Sequence, residues 1–236
     1  LTPGAAFGEP VAMEPPTEIL VPDMTPVSPR HRERRGTEIR IGSRWGLADA
    51  LTHTTFWLAQ ASCSVVQAMA SAYLFHRVDL FREHKLGDGG AFAAQVLLGV
   101  GIVVGSAACL AVERKERALL SALLLTATAL LLSPAPPADD ATSPPTSLSR
   151  VYAVASLLGL GAGLTDVYSS SMWSYFYGAT DVERIRTVSL AITFATSGTI
   201  VYILGRSYAA TGQYAGAFHG CAYAALALAA VDALLL

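Results

Sequence analysis

The sequence predicts an all-α polytopic membrane protein, a bundle of six transmembrane helices. Three observations predict it. Of 236 residues, 53% are hydrophobic and only 14% are charged, where globular domains carry about 25% charged residues. Charge and proline are crowded toward the start: 13 charged residues lie in the first 50 positions and seven of the 12 prolines lie before residue 30. The other five prolines fall between Pro134 and Pro145, so the long apolar runs that follow are free of proline. A soluble domain alternates polar and apolar faces instead of stringing such runs together. A soluble enzyme is therefore not the expected class. The net charge of -2 supplies no basic field, and nucleic acid is not an expected partner. Cys63, Cys109 and Cys221 sit singly in separate apolar runs, a pattern that gives neither a disulfide framework nor a zinc motif. No cofactor or metal is expected.

Residues 1–45, rich in Pro, Glu, Thr and Arg and without a helical period, are expected to form a disordered cytosolic segment. Its cluster Arg30, Arg32, Arg34, Arg35, Arg40 and Arg44 reads as orientation charge, with anionic-lipid binding as the alternative. Residues 46–236 are expected to form the membrane domain. The first apolar segment runs from Thr54 to Phe75, the second from Gly90 to Val112 and the third from Ala118 to Ser133. The fourth runs from Val151 to Trp173, the fifth from Thr187 to Tyr208 and the sixth from Ala215 to Leu236. At about 1.5 Å rise per residue, most of them can cross a hydrocarbon core of about 30 Å. The third is the shortest.

Lys and Arg then set the orientation. Eleven lie in the amino-terminal segment, the second–third loop and the fourth–fifth loop, against five on the opposite side. Both termini are therefore expected in the cytosol. Trp57 marks the start of the first helix, and Trp173, Tyr175, Phe176 and Tyr177 crowd the cytosolic end of the fourth, as interfacial aromatics do. Gly101 and Gly105 form a GxxxG pair in the second helix, and Gly159 and Gly163 form another in the fourth. With no strand before it, the run from Gly159 to Gly163 fails the context of a dinucleotide-binding loop and reads as a site of close helix packing.

The order and spacing of several motifs across residues 46–236 resemble the carboxyl-terminal half of a major facilitator superfamily transporter, nearest in look to the monocarboxylate and oxalate/formate-like branches. They are Ala50-Leu51 with Phe56-Trp57, Phe75-His76, Tyr175-Phe176-Tyr177-Gly178 followed by Arg184 and Arg186, and Thr211-Gly212-Gln213-Tyr214 with Ala217-Phe218. Glu113, Arg114 and Arg117 resemble the family's cytoplasmic loop motif, with Glu113 where an aspartate is usual and Cys109 where a glycine is usual. The resemblance implies a six-helix bundle that is half of a twelve-helix fold. It also implies a solute path between two such halves, and alternating access that moves a small organic solute such as a monocarboxylate with proton coupling. The expected partners are the lipid bilayer, a small-molecule substrate, and a missing amino-terminal half, second copy or subunit.

Asp166 is the sharpest site candidate. It lies about 22 Å along the fourth helix, where a carboxylate must be paired, protonated or wet. It reads either as a proton-coupling acid or as a helix–helix hydrogen-bonding group. No Lys or Arg occurs between Val151 and Ala179, so a counter-charge has to come from another helix, and Arg206 is the one within a predicted span. Thr165, Tyr168, Ser169 and Ser170 are its polar neighbours; Gln67 and Ser71 form a second strip at i, i+4 in the first helix. Arg206 reads as an attractor for an anionic solute or as a snorkelling cation. His76 reads as a pH-sensing gate or a solvated helix end, and Asp232 as a solvated group at the cytosolic edge. Two other classes compete: a non-transporting six-helix scaffold, and a rhomboid-like protease built on Ala195-Thr196-Ser197-Gly198 and His219. The protease lacks the first glycine of the motif and an oxyanion donor.

Overall fold

The computed structural model describes residues 46–83, 87–111, 115–133, 148–177 and 181–235. The amino-terminal segment 1–45, Glu113, Arg114 and the proline-rich stretch 134–147 lie outside the described residues. Within them the fold is all helical: α1 (Leu47–Thr52), α2 (Thr54–Glu83), α3 (Asp88–Ala111), α4 (Lys115–Leu131), α5 (Leu148–Tyr177), α6 (Val182–Thr211) and α7 (Ala215–Leu235). Each apolar segment of the sequence falls on one of the six long helices. α1 is an addition. Its first turn is held by Gly46 N–H donating to Asp49 Oδ2 at 3.1 Å, and Trp57 Nε1 of α2 donates back to the Leu51 carbonyl at 2.7 Å. At the other end of the chain, α6 stops at Gly212, whose φ of 70° places it in the left-handed region. Its N–H donates to the Tyr208 carbonyl at 2.7 Å, a helix end that glycine permits without strain.

Among the described residues, four helices are long and apolar enough to cross a membrane: α3, α5 over Leu148–Ser174, α6, and α7 over Ala215–Leu234. The chain is thus a multi-pass integral membrane protein. The expected count of six spans is corrected to four candidates, for two physical reasons. α4 has 17 residues, about 25 Å of rise, and opens on Lys115, Glu116 and Arg117. α2 is long enough, but it carries Gln60, Ser62, Ser64, Gln67 and Ser71 in its first two-thirds and His76, Arg77, Asp79 and Arg82 beyond. Gln60, Ser62 and Ser64 are fully buried against other helices, so α2 is an interior polar helix. α3 shows the opposite pattern, with Phe92, Val96, Val100, Val103 and Leu110 exposed along an outward apolar face.

The most extensive packing is α3 on α5, followed by α2 on α6, with α4 bridging α5 and α7. The two GxxxG pairs face each other across the first of these. Gly101 and Gly105 lie on the backbone of Ser156, Gly159 and Leu160, and Gly159 and Gly163 lie on the backbone of Leu98, Ile102 and Ser106. Without side chains between them the two helices approach backbone to backbone, and Ser106 Oγ donates across to the Gly163 carbonyl at 3.3 Å. Two apolar clusters fill the interior. One gathers Phe56, Leu123, Met172, Trp173, Ile185 and Ala225; the other gathers Met69, Leu98, Leu130, Leu158, Leu204 and Phe218. Trp173 belongs to the first cluster, buried with its ring 4.9 Å from that of Phe56. It therefore packs in the core, whereas Trp57 stays half-exposed as an interfacial aromatic should.

Candidate functional site

Polar residues of an apolar bundle either tie helices together or line a wet space, and this chain does both. Gln60 on α2 is the tie. Its Nε2 lies 2.8 Å from Ser64 Oγ, 3.0 Å from the Ser189 carbonyl and 3.0 Å from Thr193 Oγ1, while Ser189 Oγ donates to its Oε1. Donors and acceptors of the amide are both satisfied, which holds α2 on α6 in one register.

Beside this tie, α2, α5 and α6 enclose a cleft with about 220 Å³ of space open to water-sized groups. α2 contributes Cys63, Gln67 and Ser71, and α5 contributes Asp166, Ser169, Ser170 and Trp173. α6 contributes Arg186, Ser189, Thr193 and Ser197, with Leu190 and Phe194 as an apolar flank. Five residues singled out in the sequence thus share one space: Gln67, Ser71, Asp166, Ser169 and Ser170. Gln67 Nε2 reaches the Ala162 carbonyl at 3.4 Å, which ties α2 to α5 at the inner end of the cleft. Ser169 and Ser170 both donate to the Asp166 carbonyl, at 3.0 and 2.8 Å, so each hydroxyl is oriented locally and keeps its lone pairs toward the cleft.

Asp166 itself is exposed to the cleft. Among the described residues its carboxylate has no hydrogen-bond or ion-pair partner, so it is not the helix–helix hydrogen-bonding group that its depth suggested. The cation that shares the cleft is Arg186, on a different helix from Asp166, and not Arg206, the one placed within a predicted span. Arg206 is exposed on α6 and is not among the lining residues. Tyr168 is buried in the first apolar cluster, facing away from the cleft, because it lies two residues from Asp166 and so on another side of the helix. Arg117 is exposed in the first turn of α4.

Two further expectations are overturned by packing. Asp232 is buried, not solvated, and accepts a hydrogen bond from the fully buried Ser62 Oγ at 3.0 Å. His76 is half-buried and bridges three pieces of chain. A carbonyl can only accept, so its Nε2 donates to Val201 O at 3.1 Å, while Nδ1 is hydrogen-bonded to the Tyr214 hydroxyl at 3.0 Å. For the protease alternative, Ser197 lines the cleft but His219 on α7 does not. Comparison of the chain with family models, with curated proteins and with solved structures finds no match, so the cleft is interpreted on its own geometry.

Proposed function

We propose that residues 46–236 form one half of an alternating-access carrier for a small organic solute, of the kind the sequence resembles. In this reading the α2–α5–α6 cleft is one wall of the solute path. The observation that carries it is the cleft: polar and charged residues from three different helices of a chain with few charges meet at one place, and that place is open. α6 supports the same reading. It lies on the flank of the cleft and little of it is covered by the other helices, as expected of a helix that meets an opposing wall supplied by an amino-terminal half, a second copy or another subunit. In this arrangement α2 and α4 are shielded by their neighbours, and both termini lie in the cytosol. A solute-binding role for Asp166 is favoured over a proton-coupling one, since its carboxylate is exposed and shares the cleft with Arg186.

Impermeant maleimide labelling in a cysteine-free background tests the path. Ser170→Cys should react in membranes and Val103→Cys, on the outward face of α3, should not. Equal protection of both would mean that the cleft does not reach water and would favour the scaffold alternative. Ser28→Cys and Ser143→Cys report the orientation: Ser143→Cys should label in intact cells and Ser28→Cys should be protected.

A further inference from the structure

We propose that this cleft is built for a small zwitterion, a molecule carrying a carboxylate and an ammonium group as a neutral α-amino acid does. Arg186 would meet the carboxylate and Asp166 the ammonium. The inference rests on the cleft being a solute site and adds the class of solute. Asp166 and Arg186 are the two charged side chains among the described residues that line it. They come from different helices, are both exposed, and form no ion pair with each other. With no ion pair between them, the guanidinium and the carboxylate each keep their hydrogen-bonding capacity for a ligand in the cleft. A guanidinium offers a planar fork of donors suited to a carboxylate, and an ionised Asp only accepts, as an ammonium with three donors requires.

The signs also discriminate. A simple monocarboxylate would satisfy Arg186 but bring a second negative charge toward Asp166; a simple amine would make the converse error beside Arg186. A zwitterion answers both and leaves the site neutral. The remaining walls fit the same ligand. The Ser189 and Thr193 hydroxyls are already engaged by Gln60, which leaves their helix as a fixed surface. Leu190 and Phe194 offer an apolar side to a small aliphatic side chain.

The test uses three molecules of one skeleton: valine, its 2-hydroxy acid counterpart without the ammonium, and valinol without the carboxylate. Each is added to the full chain in lipid nanodiscs, and thermal unfolding is followed, since a ligand of the folded state raises Tm with concentration. Valine should raise Tm, and at least a tenfold higher concentration of either analogue should be needed for the same shift. Arg186→Gln should bring valine down to the level of valinol. Asp166→Asn should remove the preference for valine over the hydroxy acid. Arg186→Lys and Asp166→Glu, which keep charge and fold, should retain part of the valine response. A loss as complete as that of the neutral variants would overturn the assignment of charge roles. A hydroxy acid that shifts Tm as well as valine overturns the zwitterion while leaving the carrier reading in place. No shift from any of the three also overturns it, and Ser170→Cys labelling then separately decides whether the cleft is a solute path at all.

Discussion

Replacing Gly101 by alanine should destabilise the bundle, and the structure sets the scale. A Cβ at this position would lie 2.7 Å from the Ser156 carbonyl oxygen, 3.0 Å from Leu160 N and 3.1 Å from Gly159 Cα, where ordinary contact begins at 3.4 Å. All three atoms are backbone of α5, so no rotamer change can relieve the overlap. α3 and α5 must separate, and they give up dispersion contacts along the most extensive helix pair of the fold. Overpacking of this kind costs about 1–3 kcal/mol. Gly99, two residues earlier on the same helix, is the control: nothing lies within 4 Å of an added Cβ, and Gly99→Ala should be neutral or gain up to about 1 kcal/mol of helix propensity. The gain in helix propensity is common to both substitutions, so they should differ by the overpacking cost, about 1–3 kcal/mol, in equilibrium unfolding by denaturing detergent. Gly101→Ala combined with Gly163→Ala should cost less than the two single changes added, because helices already separated by one methyl accommodate the next. If Gly101→Ala unfolds with Gly99→Ala, the glycine faces of α3 and α5 do not meet and the packing described here is wrong.

Two further outcomes follow from the buried polar contacts. Gln60→Leu should lose about 1–3 kcal/mol, because Ser189, Ser64 and Thr193 lose the amide that joins them, while Gln95→Leu should stay within about 0.5 kcal/mol, since its contact with Arg77 is exposed; the same unfolding assay compares them, and equal effects would deny Gln60 its role as the tie. Ser62→Ala should cost about 1–2 kcal/mol by leaving the Asp232 carboxylate without its donor, whereas Asp232→Asn keeps an acceptor for Ser62 and removes a buried charge, so it should be neutral or stabilising. An Asp232→Asn variant less stable than Ser62→Ala would show that the charge itself is needed.

Much of the fold was legible because its strongest signals are local. Each apolar run became a helix, and the GxxxG pairs at residues 101–105 and 159–163 mark the two faces that meet, since only small residues allow backbones to approach so closely. Hydropathy failed where a helix is not covered by lipid. α2 reads as a span of ordinary apolar character, yet its polar positions Gln60, Ser62 and Ser64 are buried as completely as its apolar ones, each satisfied by a partner on another helix or on its own. A sequence window weighs those residues as if each stood alone against hydrocarbon, and the partners lie up to 170 positions away. Asp232 and His76 were misplaced for the same reason: a polar group near a helix end reads as solvated until its distant partner is known.

The site was half legible, and the missing cation has a single cause. On α5 and α2 the stripes Asp166, Ser169, Ser170 and Gln67, Ser71 stand inside apolar runs and draw notice there. The matching stripe on α6, Arg186, Ser189, Thr193 and Ser197, has the same helical spacing of three and four, but its first member lies just before the apolar segment that starts at Thr187. Charge marks the edge of an apolar window and not the edge of a helix: backbone hydrogen bonding continues through charged residues as readily as through apolar ones, and α6 begins at Val182. By apolar window alone Arg186 reads as a loop charge that orients the chain, and Asp166 has no cation on a neighbouring helix except Arg206. Five residues of extra helix carry Arg186 into the second turn of α6, onto the face that Ser189 continues, and turn one isolated carboxylate into a cleft with both signs of charge.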